Sequence, residues 1–395
     1  MIGVKSIREI ELQSKVVFMR LDLNCPLNND GEVSSDARIR AALPTIKHAL
    51  ENGAKLAVAS HLGRPKGQVR PDLSLEPVGA RLSELLDTDV LLADNCVGDG
   101  VKALLGNLRE GHVLLLENLR FHEGETKNDP EFARRLAEPF EVFVNDAFGA
   151  CHRSHASVVG MTPYVEESAA GLLLEKEIEG LGTIVETPQK PFVAVIGGAK
   201  VSDKVGIIQA LLDKVQAICI GGAMAYTFLK AQGHKVGASR VEEDKLFVAK
   251  KVLIGADARG VQILLPKDHV VADEFSETAK AQIVAGVEIQ DGMMGLDIGP
   301  QTRKEYAEVV KGAASLLWNG PMGVFEWDAF ANGTNAIAAA AAECKGYTVV
   351  GGGDSVAAIE KAGVSDKINH VSTGGGASLE FLEYGILPGL KVLEK

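Results

Sequence analysis

The chain contains no Gly-Lys dipeptide in its 395 residues, so a G-x-x-x-x-G-K-[ST] phosphate loop is impossible. It also lacks a G-x-G-x-x-G dinucleotide loop, a G-x-S-x-G nucleophile elbow and an H-E-x-x-H zinc helix. These gaps weigh against P-loop ATPases, dehydrogenases, serine hydrolases and metalloproteases. Cysteine is scarce: Cys25, Cys96, Cys151, Cys219 and Cys344 lie far apart with no C-x-x-C pair. That spacing argues against a disulfide framework or a zinc site and for free thiols in a reducing compartment. No apolar run reaches the ~18 residues of a membrane span. The first ten residues carry Lys5, Arg8 and Glu9 rather than an apolar core, so no signal peptide is expected and a cytoplasmic location is the default. Positive charge is in deficit, with 41 Lys+Arg against 53 Asp+Glu and a net charge of −12. A general nucleic-acid or membrane-surface footprint is therefore not expected, and any anion must be bound locally.

Glycine, by contrast, is plentiful at 43 residues, and its placement is informative. Short apolar runs at Lys15 to Leu23, Lys55 to Ser60, Val113 to Leu116 and Glu141 to Val144 read as buried strands. Arg38 to Asn52, Ser74 to Leu86 and Glu131 to Glu138 have helical spacing between them. The rhythm resumes after Lys190 with Phe192 to Ile196, Ala217 to Ile220, Val261 to Leu264, Leu316 to Trp318 and Tyr347 to Val350. Alternation of this kind is the signature of parallel α/β sheets. Several of the later runs end at glycines, where ligands gather beyond the carboxyl ends of strands. A helical stretch from Ala169 to Gly180, followed by Thr187-Pro188-Gln189-Lys190-Pro191, marks the boundary between two halves.

The two halves differ in the chemistry they offer. In the second, Gly351-Gly352-Gly353-Asp354-Ser355 and Gly374-Gly375-Gly376 suit phosphates held by backbone N–H groups at a helix start. Asp354 is placed to hold Mg²⁺ against nucleotide phosphates or to cap the helix, and the two roles are compatible. Gly197 to Lys204 follows a strand and reads as a helix opening with Lys200 and Lys204 on one face, either meeting phosphate or paired with acids such as Asp203. In the first half, alternation puts Arg20, Asp22 and Asn24 on one strand face, either a ligand wall or a salt-bridged strand end. His61 and Arg64 follow another strand, Arg120 a third and Arg153 a fourth. Several guanidinium forks converging on one rim suit a small acid carrying both phosphate and carboxylate. Of His61, His152 and His155, ligand contact is favoured only for His61.

These motifs resemble, in order and along essentially the whole chain, those of the phosphoglycerate kinase family. The matching stretches are Arg20 to Pro26, Ser60 to Gly67, Leu116 to Phe121, Asn145 to Gly149, His152 to Ser157, Gly197 to Lys204, Trp318 to Glu326 and both C-terminal glycine clusters. The resemblance implies two Rossmann-like three-layer lobes with parallel sheets joined by a hinge helix. Their expected bounds are 1–171 completed by 379–395 for the phosphoglycerate lobe, 172–190 for the hinge and 191–378 for the nucleotide lobe. It implies reversible phosphoryl transfer between ATP and 3-phospho-D-glycerate, giving ADP and 1,3-bisphosphoglycerate, in glycolysis and gluconeogenesis. Asp22, Asn24, Arg38, His61, Leu62, Gly63, Arg64, Arg120 and Arg153 would bind the acid. Lys204, Gly295, Glu326, Gly352, Gly353, Asp354 and Ser355 would bind the nucleotide, Asp354 through Mg²⁺. Arg38, Lys200 and the backbone of Gly374 and Gly375 would act on the moving group. A monomer is the family expectation. The chain departs from the family pattern at Cys25, Cys151 and Tyr384, none of which removes a charged ligand. A catalytically silent binding protein would more plausibly have lost one of these groups, and an isomerase would need an acid–base pair that is not found.

Overall fold

A computed structural model describes residues 3–394. The chain falls into two compact units: one runs to Glu179 and takes in the chain again from Ile386, and the other is Gly180–Gly385. The division lies inside a single helix, Leu172–Glu186.

Unit 1 is built on β1 (Val16–Leu21), β2 (Lys55–Ala59), β3 (Val90–Leu92), β4 (Val113–Leu115), β5 (Val142–Asp146) and β6 (Glu167–Ala170). They form one sheet in the order β3-β4-β2-β1-β5-β6, with every pairing parallel. The predicted apolar runs become strands because alternate residues, Val17, Met19 and Leu21 on β1 and Leu56 and Val58 on β2, pack a core against Ile39, Ala42, Ile46, Val78 and Leu82 of the helices Ala37–Glu51 and Glu76–Leu86. Each fully buried aliphatic chain of this kind contributes about 1.5–3 kcal/mol of transfer free energy. The other faces of β1 and β5 bury Phe18 and Phe143, whose rings lie 6.0 Å apart.

Unit 2 repeats the plan with β7 (Phe192–Ile196), β8 (Ala217–Ile220), β9 (Gln262–Leu264), β10 (Asp268–Ala272), β11 (Gln282–Ala285), β12 (Met294–Ile298), β13 (Ser315–Asn319), β14 (Tyr347–Gly351) and β15 (His370–Val371). Six of these make a parallel sheet in the order β15-β14-β13-β7-β8-β9. The remaining three form an antiparallel sheet, β11-β10-β12, that the parallel rhythm did not predict. It carries its own small cores, one around Tyr226, Leu229, Val271 and Ile289 and another around Val270, Leu296 and Phe330.

One local expectation is corrected. Lys200 and Lys204 do not share a helical face, because the helix begins only at Val205 and residues 201–204 form a turn ahead of it. The carboxylate of Glu242, distant in sequence, holds that turn open by accepting from the amides of Val201 and Ser202 and from the Ser202 hydroxyl at 2.6 Å. These amides lie ahead of the helix's first turn, and the remote acid satisfies them there.

Candidate active site

In unit 1, four of the strands predicted to deliver polar residues to one rim are consecutive neighbours, β4-β2-β1-β5, and all are parallel. Their carboxyl ends therefore lie side by side. The segments just beyond them are tied together. The guanidinium of Arg38 donates to Asp22 at 2.6 Å. The Asp22 carboxylate accepts from the Asn24 amide at 3.3 Å, and the Asn24 side-chain oxygen accepts from the Gly63 amide at 2.9 Å. Gly63 in turn offers its carbonyl to Arg120 Nη1 at 2.7 Å, and its backbone is left-handed at φ +61°, which glycine adopts freely. Leu62 is fixed in place, both its peptide groups bonding the buried Asn118 side chain at 3.3 and 2.8 Å.

Arg64, Arg120, Arg153 and His155, with Lys66 and Lys127, line a cleft of about 520 Å³. Arg38, Arg64 and Arg153 are exposed, whereas Arg120 is half-buried. Burial, followed by the nearby Arg20 and Arg153 guanidiniums, pulls the Arg120 pKa down to about 10, which still leaves it charged at neutral pH. Its Nε is buried and has no hydrogen-bond partner.

Arg20 is not the wall residue its strand position suggested. It is fully buried, donating to Leu21 O, to Ser157 Oγ at 2.9 Å and to His61 Nδ1 at 3.1 Å. Its counter-charge is the fully buried Glu125, which accepts from the Ser157 amide and hydroxyl at 2.9 and 2.7 Å. Glu125 and Ser157 were missed by sequence reasoning, and nothing in the polar stretch Glu123-Gly124-Glu125-Thr126-Lys127 singles out the buried acid. His61 is itself buried; desolvation first, then Arg20, Arg120 and Arg38, hold its imidazole well below the usual value, so it is neutral.

In unit 2 the same topological rule operates with backbone in place of side chains. The carboxyl ends of β14-β13-β7-β8 are neighbours, and each runs into glycine. At Gly197 the approach is so close that a Cβ would lie 2.1 Å from the carbonyl of Pro321, so glycine there serves packing between strand exits rather than a ligand directly. Farther out the glycines open. Gly353, Gly375 and Gly376 have nothing within 4 Å of a would-be Cβ, and Gly352 and Gly375 are left-handed at φ +90° and +55°. Two helices begin at these loops, Gly353–Lys361 and Gly376–Tyr384.

Two cavities lie over this edge and share Asp354. The smaller, about 240 Å³, is lined by Lys204, Asn319, Gly352, Gly353, Ser355 and Gly375. The Lys204 ammonium donates to Asn319 Oδ1, and burial lowers its pKa. Ser355 is turned inward, its hydroxyl accepting from the Gly320 amide at 2.5 Å. The larger cavity, about 450 Å³, is walled by Gly295, Glu326, Tyr226, Phe275, Met322 and Leu296, among others, a mostly apolar slot of the kind that takes a flat ring. Tyr226 and Phe275 were missed; Phe275 is 65% exposed and rests on Trp327, with ring centroids 4.6 Å apart. Lys200 is exposed and lines neither cavity, and the Gly374 amide is occupied by Ser372 Oγ at 3.3 Å.

Residues 7–384 match the family model described as phosphoglycerate kinase. The phosphoglycerate kinase of Anaeromyxobacter dehalogenans is 56% identical over 395 residues, covering all of both chains. Among solved structures, the phosphoglycerate kinase of Coxiella burnetii superimposes with a TM-score of 0.90 at 43% identity, covering 99% of this chain and 98% of that one. That of Pyrococcus horikoshii OT3 gives 0.85 at 33% identity, covering 98% of each. Motif order, paired parallel sheets and full-length similarity agree: this chain belongs to the phosphoglycerate kinase family.

Proposed function

We propose that the chain catalyses reversible phosphoryl transfer between ATP and 3-phospho-D-glycerate, with the acid held in unit 1 and the nucleotide in unit 2. Family membership supplies the reaction. The observation that carries the placement is the contrast between the arginine-lined cleft of unit 1 and the glycine-lined cavities of unit 2. Arg64, Arg120 and Arg153 suit the acid's phosphate, and Asn24, Arg38 and His61 suit its carboxylate end. Gly352, Gly353, Gly375 and Lys204 suit the nucleotide's phosphates, and the slot beside Gly295 and Glu326 suits its base and sugar.

The acceptor carboxylate, with a typical pKa of about 4, is already ionised at neutral pH, so its oxygen attacks the γ-phosphorus without a general base. The bond to the β-phosphate oxygen breaks as the new O–P bond forms, and ADP leaves with no net proton transfer. Catalysis then rests on positioning and on cations and amides facing the equatorial oxygens, the role assigned to Arg38, Lys200 and the glycine amides. Asp354 is a lone carboxylate common to both cavities, and no cluster of three or more His, Cys, Asp or Glu suited to a metal occurs among the described residues. One carboxylate, completed by phosphate oxygens and water, is a set that fits Mg²⁺. Bound there, Mg²⁺ would supply charge neutralisation along the nucleotide phosphates.

Bringing the two ligands within in-line reach is assigned to closure about the helix Leu172–Glu186. Among the described residues no helix is long and apolar enough to cross a membrane, and the cysteines are free thiols; the proposal of a cytoplasmic monomer rests on the family resemblance alone. The test is ATP consumption with 3-phosphoglycerate and Mg²⁺, trapping 1,3-bisphosphoglycerate with a coupling dehydrogenase. Turnover requiring both the acid and Mg²⁺ is expected; nucleotide binding without turnover would overturn the reading in favour of a silent binding protein.

A further inference from the structure

Beneath the arginine cleft lies a buried chain of groups that ends on His61 and whose other members, Glu125, Ser157 and Arg20, the proposed reaction does not use. The Glu125 carboxylate accepts from the Ser157 hydroxyl at 2.7 Å, and the same hydroxyl oxygen accepts from Arg20 Nε at 2.9 Å. Arg20 Nη2 lies 3.1 Å from His61 Nδ1. Glu125, Ser157 and Arg20 each have no exposed surface. The direction of every bond in the chain is fixed by chemistry. A carboxylate only accepts and a guanidinium only donates, so Ser157 must donate to Glu125 and accept from Arg20. By the same rule His61 Nδ1 must present a lone pair, and the ring's one proton sits on Nε2.

We propose that Glu125 and Ser157 are positioning residues that act through Arg20 to lock His61 as its neutral Nε2–H tautomer, giving the acid site one fixed, uncharged donor among its arginines. The inference rests on the reading of unit 1 as the acid's site. The arrangement answers a physical problem of that site. Arg20, Arg120, Arg38 and His155 all bear on His61, and a positive charge on its ring would be repelled by the guanidiniums around it. A free neutral imidazole would divide between two tautomers, only one of which donates from Nε2. Burial alone would favour a protonated Glu125, but His155, Arg20 and Ser157 together outweigh it and hold the carboxyl below its usual range, so the chain keeps its anionic end. His155 Nδ1, 3.5 Å from Glu125 Oε1, reaches the same acid from the cleft wall.

The test is the tautomer itself, read by two-bond proton–nitrogen correlation of ¹⁵N-histidine-labelled protein near neutral pH. Native His61 is expected to show a protonated Nε2 and a bare Nδ1, with resonances that move on titration with 3-phosphoglycerate. Glu125→Gln keeps the shape but removes the charge, and Ser157→Ala removes the link. Each is expected to mix the His61 tautomers and to raise KM for the acid roughly fivefold, about the worth of one neutral hydrogen bond, with KM for ATP unchanged. Should one variant fail to fold, the other and the native spectrum still decide. A protonated Nδ1 in the native protein, or variants with native spectra and native acid KM, would overturn the proposal. A native spectrum that ignores the acid, in protein that still turns it over, would overturn the donor role while leaving the reaction standing; loss of all response and all turnover would overturn the reaction as well.

Discussion

On the proposed function, the two units solve one problem, holding phosphate, with opposite materials. Both place the site beyond the carboxyl ends of four adjacent parallel strands. In unit 1 the strand exits present long cationic side chains fixed by carboxylate and amide partners, as in the run from Arg38 through Asp22 and Asn24 to Gly63 and Arg120. In unit 2 they present bare backbone and two helix starts, with Lys204 as the single cation among the described residues that line the smaller cavity. Guanidinium forks discriminate among small anions by geometry, whereas amide nests accept phosphate wherever the chain can approach. The side chains thus suit the ligand that must be recognised whole, and the backbone suits a polyphosphate tail common to many molecules.

The sharpest way to break this comparison is Arg38→Ala. It is expected to lower kcat by about 10²–10³-fold, as loss of a donor to developing charge does, while nucleotide binding measured by calorimetry stays near native. Gly352→Ala probes the other side: at φ +90° a side chain costs about 1–2 kcal/mol, and its Cβ would meet Asn319 Nδ2 at 2.9 Å. Nucleotide affinity should fall about tenfold with KM for the acid unchanged. Salt should separate the units without mutation. Raising the ionic strength from about 0.05 to 0.2 M is expected to weaken acid binding several-fold and nucleotide binding less, because only the first relies on exposed arginines. The smallest effect concerns the unusual thiols. Burial pushes Cys25 up to about 11 and Cys151 up to about 12, so neither should react with iodoacetamide near neutral pH, and activity should survive the treatment.

How much of this was legible in the sequence depended on how local the cause was. Strands such as Phe192–Ile196 and Val142–Asp146 are buried apolar runs that announce themselves. β6, Glu-Ser-Ala-Ala, has no such run and is a strand only because β5 pairs with it; β11 is largely exposed and is held by β10. The charged residues at strand exits were legible because strand polarity alone puts them on one edge. The turn at residues 201–204 was not, since Glu242 decides it from elsewhere in the chain. Arg20 misled for the same reason: period-two alternation groups it with Asp22 and Asn24, but it is buried because Glu125 and Ser157 supply its partners from a distant segment.

The central claim, one ligand class per unit, is tested most directly by hydrogen–deuterium exchange with each ligand added alone. 3-Phosphoglycerate is predicted to protect the segments around residues 22–24, 61–64, 118–121 and 151–155 and to leave residues 351–355 and 373–376 unchanged. ATP with Mg²⁺ is predicted to do the reverse. Protection of the glycine loops by the acid alone, or of the arginine segments by the nucleotide alone, would contradict the account.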